Sequence, residues 1–186
     1  MKLIIYANPK EKGHCFTVLQ EVKKFLATKK VEFDVLDLYA MNFNPVLKNE
    51  NINAEGHIVA DEEVKSIQQK IKNSNDLIFI YPNWWAGMPA MLKGFFDRVF
   101  TDGFALEFKG MVPKGLLKTT KATVFITAGG PKIAHLLMGN RTKKIIKKDI
   151  LGFSGIKTKV VLIGSCMKFI EDSVPRIKDI VKKNLK

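Results

Sequence analysis

Three short stretches hold the residues able to do chemistry, and each follows an apolar run. The first, Asn8-Pro9-Lys10-Glu11-Lys12-Gly13-His14-Cys15, leads into a helical pattern. A helix start offers unpaired N–H groups and a partial positive charge that suit a phosphate, and Gly13 lets the backbone approach it closely. The stretch is neither GxxxxGK[ST] nor GxGxxG, so an ordinary turn would read the same way. Cys15 at a helix start also suits a thiolate of lowered pKa. A cysteine phosphatase, however, needs an arginine six residues on, and Glu21 stands there. A phospho-acceptor aspartate after the third strand is excluded too, since that place holds Tyr81-Pro82.

The second stretch, Pro82-Asn83-Trp84-Trp85-Ala86-Gly87-Met88-Pro89, contains both tryptophans of the chain. They suit an aromatic wall against a flat ligand, although core packing or a subunit interface would use them equally well. The third stretch is Thr127-Ala128-Gly129-Gly130-Pro131. Paired glycines leave the backbone open to something flat or bulky, and a tight turn uses the same pair. A phosphate cradle, an aromatic wall and an open backbone patch together fit a phosphate-bearing planar ring system.

The elements that must bring these loops together alternate in type. Leu3–Ala7, Phe33–Leu38, Asp76–Tyr81, Ala122–Thr127 and Lys159–Gly164 are short, β-branched or aromatic and mostly not alternating, which marks parallel strands covered on both faces. Helical periodicity lies between them: Val18, Val22 and Phe25, then Asp61–Lys72, Pro89–Phe100, Arg141–Leu151 and Val174–Lys183. The series predicts an α/β, doubly wound five-stranded parallel sheet in one domain over residues 1–186, with helices on both faces. Ligands of such sheets sit beyond the C-terminal strand ends, here the loops after strands one, three and four.

Composition narrows the classes. With 46% hydrophobic residues the chain can bury its own core, and no stretch reaches the roughly 20 apolar residues of a membrane helix. The apolar run in MKLIIYANPK is too short for a signal peptide, and Cys15 and Cys166 form no disulfide framework, so a cytoplasmic protein without membrane insertion is expected. His14, His57 and His135 are scattered, which predicts no metal site. The net charge of +13 suggests anionic partners, yet only Arg98, Arg141 and Arg176 are arginines among 31 basic residues. Spread lysines fit a solvated surface better than nucleic-acid recognition, and no nucleic-acid partner is expected.

The segments DLYAMNFNP (37–45), YPNWWAGMPAMLKGFFDRVFTDGFA (81–105) and GLLKTTKATVFITAGGP (115–131) stand in the order and spacing of one family. The chain resembles the flavodoxin-like NAD(P)H:quinone oxidoreductases, which include the mammalian quinone reductases and many bacterial NAD(P)H oxidoreductases. The resemblance implies strand order 2-1-3-4-5, a bound flavin, and a homodimer with sites at its interface. Carried over by position, Asn8, Gly13, His14 and Cys15 would meet the flavin phosphate, Pro82, Asn83, Trp84 and Trp85 the isoalloxazine, and Thr127, Gly129 and Gly130 its far edge. Trp85 would also wall the space where nicotinamide and quinone stack in turn, giving a ping-pong hydride transfer from NADPH or NADH. The shorter bacterial members favour FMN over FAD.

Two departures stand out. The Tyr and His that follow the GG motif in the mammalian enzymes fall on His135 and Arg141, which leaves His135 as the candidate proton donor. The Ser-Phe-Asn common in the first loop is Gly13-His14-Cys15, shifting its phosphate contacts toward backbone. The same resemblance also admits an ancillary regulatory subunit of a potassium/proton antiporter and a flavodoxin-type electron carrier.

Overall fold

The computed structural model describes residues 1–118, 120–170 and 172–185. Its elements run β1 (Lys2–Tyr6), α1 (His14–Thr28), β2 (Phe33–Asp37), α2 (Glu62–Lys72), β3 (Asp76–Pro82), α3 (Ala90–Val99), β4 (Leu106–Lys109), β5 (Val112–Gly115), β6 (Lys121–Thr127), α4 (Lys132–Leu137), α5 (Arg141–Lys144), β7 (Lys157–Ile163) and α6 (Ser173–Asn184). Five strands pair in parallel in the order β2-β1-β3-β6-β7. With the β4–β5 hairpin set aside this is the expected 2-1-3-4-5.

The strands are apolar without alternation because both faces are covered. Leu3, Ile5, Leu77, Phe79, Val124 and Ile126 pack toward α2 and α3. Their neighbours Ile4, Ile78, Ile80 and Phe125 pack toward α1 and α6, and all ten side chains are fully buried. Helix α2 starts where Asp61 accepts a hydrogen bond from the Val64 N–H at 2.9 Å, with Glu62 and Glu63 in its first turn and Lys70 and Lys72 in its last.

Arg98 of α3 is buried and fastens two neighbours at once. Its guanidinium donates to the Asn44 carbonyl at 2.6 Å, pairs with Asp61, and lies 5.1 Å from the Phe43 ring centroid. One turn earlier Gly94 lets the chain at Pro45 lie directly on the helix: a Cβ there would fall 2.1 Å from the Pro45 carbonyl oxygen.

Three elements differ from the sequence expectation. The antiparallel β4–β5 hairpin turns at Gly110 (φ +65°) and ends at Gly115, whose missing side chain admits the Gly155 N–H nitrogen at 2.2 Å from where a Cβ would sit. Helix α4 lies between β6 and α5 with no buried side chain. The expected helix over Arg141–Leu151 has four α-helical residues, then a π-helical turn, Ile145–Ile150, in which the Leu151 N–H donates to the Ile146 carbonyl at 3.1 Å.

Candidate functional site

The loops after β1, β3 and β6 meet at the C-terminal edge of the sheet and, with the loop after β7, enclose a cleft of about 510 Å³. Backbone hydrogen bonds lace them together. The Asn83 N–H donates to the Thr127 carbonyl at 2.7 Å, the Ala128 N–H to Ile163 at 2.9 Å, the Ser165 N–H to Gly130 at 2.9 Å, and the Cys166 N–H to Ala128 at 3.0 Å. The cleft is therefore built from the ends of adjacent strands, where a doubly wound sheet places ligands.

At one end lies the start of α1. Gly13 has φ +92°, and a Cβ at this position would meet nothing within 4 Å, so its glycine serves conformation and not crowding. No side chain caps α1 and no acidic residue sits in its first turn; the first helical bond runs from the Thr17 N–H to the Gly13 carbonyl at 2.9 Å. The N–H groups before it face the cleft end that Lys10 and Lys12 also line. Asn8 is buried and braces this loop, donating to the Tyr6 hydroxyl at 3.2 Å, while that hydroxyl donates to the Lys10 carbonyl at 3.2 Å.

Cys15 and His14 behave differently from their sequence reading. Burial pushes the Cys15 thiol from 9.0 up to about 12, outweighing the hydrogen bonds with Thr127 and Tyr6 that lower it, and so opposes the reactive thiolate that a helix start would favour. Its stabilising proton is fully held below the ordinary value of 9.0 and lost as pH climbs through about 12. Alkylation by iodoacetamide at mildly alkaline pH is expected to label the half-buried Cys166 slowly and Cys15 only after denaturation. Mass spectrometry showing equal labelling in the folded protein would restore Cys15 as a nucleophile.

His14 is also buried. Its Nε2 lies 3.3 Å from the Ser173 Oγ at the start of α6, and its ring meets Phe169 edge-on at 5.1 Å between centroids. Burial, aided by the Arg176 charge, holds its pKa below 6.5, so it anchors the β7–α6 loop as a neutral ring.

The tryptophan loop closes on itself as a two-residue turn. The Trp84 N–H donates to Gly87 at 3.0 Å and the Gly87 N–H returns to Trp84 at 2.9 Å, leaving Trp85 (φ +50°) and Ala86 (φ +58°) both left-handed. Trp84 lines the cleft beside Pro82 and Asn83, whereas Trp85 stands fully exposed at the tip, 103% of its reference area, outside the lining. Asn83 Oδ1 is buried without a hydrogen-bond partner.

On the opposite side Thr127, Ala128 and Gly129 line the cleft and Gly130 stands just outside. Among the described residues, the N–H groups of Gly129 and Gly130 have no acceptor, while those of Asn83, Trp84 and Ala128 are committed within the protein. His135, on α4, puts Nε2 3.7 Å from where a Gly130 Cβ would sit, so it belongs to the rim.

Residues of the loop after β7 escape the sequence reading: Cys166, Met167 and Phe169 complete the wall. The available signal was strand order, since a fifth strand beside the fourth must deliver its loop to the same edge. No group of His, Cys, Asp and Glu able to hold a metal occurs among the described residues, and none of their helices is long and apolar enough to cross a membrane.

Comparison with known proteins agrees with this geometry. The chain is 33% identical over 154 residues to the NAD(P)H dehydrogenase (quinone) 1 of Cavia porcellus, a match covering 74% of this chain and 56% of that protein. It thus spans little more than half the length of that relative. A crystal structure of a Streptococcus mutans protein superposes with a TM-score of 0.85 at 30% identity, covering 98% of this chain and 100% of that one. The NAD(P)H:quinone oxidoreductase of Methanothermobacter marburgensis gives a TM-score of 0.82 at 26% identity, with 98% and 92% covered. A family model described as the flavodoxin-like fold matches residues 2–179, and the chain belongs to that family.

Proposed function

We propose that the chain is a cytoplasmic, single-domain flavoprotein that oxidises NADPH or NADH and passes two electrons to a quinone or similar acceptor, working as a homodimer with FMN in the cleft. The observation that carries this reading is the cleft itself, with an uncapped helix start and two lysines at one end and unmatched polar groups along a flat wall. The buried acceptor Asn83 Oδ1 and the free donors at Gly129 and Gly130 complement the alternating N–H and C=O edge of an isoalloxazine. When bound, a flavin would supply the two-electron redox chemistry linking the nicotinamide to the acceptor.

The protein's own groups bind and orient. The first-turn N–H groups of α1, with Lys10 and Lys12, hold the phosphate; the neutral His14 adds no charge there. The Gly129 and Gly130 N–H groups would favour negative charge on a ring bound against them. Trp84 and Met167 flank the cleft, and His135 at its rim serves as the proton donor to the reduced acceptor. Exposed Ile133, Leu136, Leu137 and Met138 on and after α4, beside the site, support burial of this face against a second copy.

Protein supplied with FMN or FAD is expected to turn yellow, to bleach anaerobically on addition of NADPH or NADH, and to recolour with a quinone. Absence of binding to either flavin in equilibrium dialysis overturns the proposal; binding without bleaching reduces it to an electron carrier.

A further inference from the structure

Two further hollows lie at the opposite pole from the cleft. One of about 570 Å³ and one of about 550 Å³ meet at Phe25, Lys29 and Lys182, along the seam between α1 and α6. Their floor is apolar, formed by the half-buried Phe25 and the buried Leu26, Val181 and Leu185. Their rim is cationic. Among the described residues Lys29, Lys178 and Lys182 have no carboxylate within 4 Å, whereas Lys24 is taken by Glu21 at 3.2 Å and Lys2 by Asp76 at 2.5 Å.

Lysines at helix C-termini favour the helix dipole, which accounts for Lys29 and Lys182 singly. It does not account for Lys178, a turn earlier, or for three unpaired ammonium groups around one apolar floor.

We propose that this groove binds a small amphiphilic anion, with a carboxylate or phosphate head between Lys29 and Lys182 and an apolar tail over Phe25 and Val181. The volumes match those of small-molecule sites. Among the described residues the one carboxylate lining the groove, Glu21, is paired with Lys24 and sits two turns from Lys29, so the head is drawn to the lysine end. A flat anionic bilayer fits the groove less well. It would leave the apolar floor wet, and Met1 is the one large apolar side chain exposed near the start of β1, too little to anchor insertion. The site is remote from the cleft, which lies at the other end of the strands, and does not depend on the flavin reading.

Calorimetric titration with decanoate and with decyltrimethylammonium, both below their micellar concentrations, tests the proposal. Decanoate is expected to bind saturably at one site and the cation not to bind. The double variant Lys29→Gln/Lys182→Gln should weaken decanoate roughly tenfold or more while leaving flavin reduction unchanged and lowering the melting temperature by only a few degrees through the lost helix-dipole interactions. Equal affinity for both amphiphiles, or an unchanged affinity in the double variant, overturns it. Sedimentation with anionic phospholipid vesicles, lost in the double variant while decanoate fails to bind, assigns the lysines to a membrane surface and also overturns it.

Discussion

Exchanging Trp85-Ala86 for Asn-Gly is expected to raise the melting temperature while cutting quinone reduction by about ten- to a hundredfold. The two effects have opposite signs because they come from different atoms. In the folded chain both residues sit at positive φ, +50° and +58°, where a Cβ is unfavourable and where Asn-Gly is the preferred pair. Relieving that strain stabilises by about 1 kcal/mol, roughly 2–4 °C for a chain of this size. The Trp85 side chain gives nothing back to the fold of one chain, since it is fully exposed. Under the proposed function, a large aromatic held at the tip of a strained turn next to the cleft is available for contact with nicotinamide, quinone or a second subunit. Loss of such an aromatic contact costs about 1.4–2.7 kcal/mol in the transition state. A thermal melt with steady-state kinetics separates the outcomes: a fall in both measurements would make Trp85 a structural residue.

Gly94→Ala is expected to be strongly destabilising despite its conservative chemistry. On helix propensity alone it should stabilise α3 by about 1 kcal/mol. The new Cβ, however, would lie 2.1 Å from the Pro45 carbonyl oxygen and 2.4 Å from the Pro45 Cβ. One of these is backbone, so no rotamer change relieves the clash, and the segment carrying Phe43 and Asn44 must lift from the helix. That movement also pulls the Asn44 carbonyl from the Arg98 guanidinium, leaving a buried cation short of a partner. Overpacking and the lost bond together cost about 3 kcal/mol or more, against the 1 kcal/mol gained, a net drop of roughly 4–8 °C or more in melting temperature. Urea unfolding measures it directly; an alanine variant as stable as the parent would show that the 43–46 segment yields freely.

The five parallel strands were legible because burial on both faces writes a continuous apolar run. Each observed strand lies within two residues of its expected bounds. The hairpin was not legible for the converse reason. Phe108, Met111 and Val112 are exposed, so its strands carry neither a buried run nor a clean alternation, and its close approach to Gly155 is a long-range fact hidden in one glycine. Helix α4 buries nothing, and its apolar Ile133, Leu136 and Leu137, although at helical spacing, span too few residues after the Gly-Gly-Pro turn to mark a helix in the sequence. At the site, most of the loop residues chosen for their chemistry line one cleft, because topology brings the ends of adjacent strands together, whereas Trp85, Gly130 and His135 lie outside its lining. The state of Cys15 was not readable, since a thiol at a helix start is activated or inert according to burial that only the packed fold defines. The same holds for His14, whose partners Phe169 and Ser173 stand more than 150 positions away.

The π-helical turn at Ile145–Ile150 bears on how this chain lines up with its relatives. Such a turn accommodates one residue more than a regular helix while keeping the flanking turns in phase. Here it lets Ile146 and Leu151, both fully buried, face inward on either side of the extra residue. Removing one residue from 147–149 would restore regular winding without disturbing β7, whereas removing one outside the turn would rotate everything beyond it by about 100°. A single-residue indel in this helix is therefore structurally cheap only there, and a relative with an unbroken α-helix should show its alignment gap between positions 145 and 150.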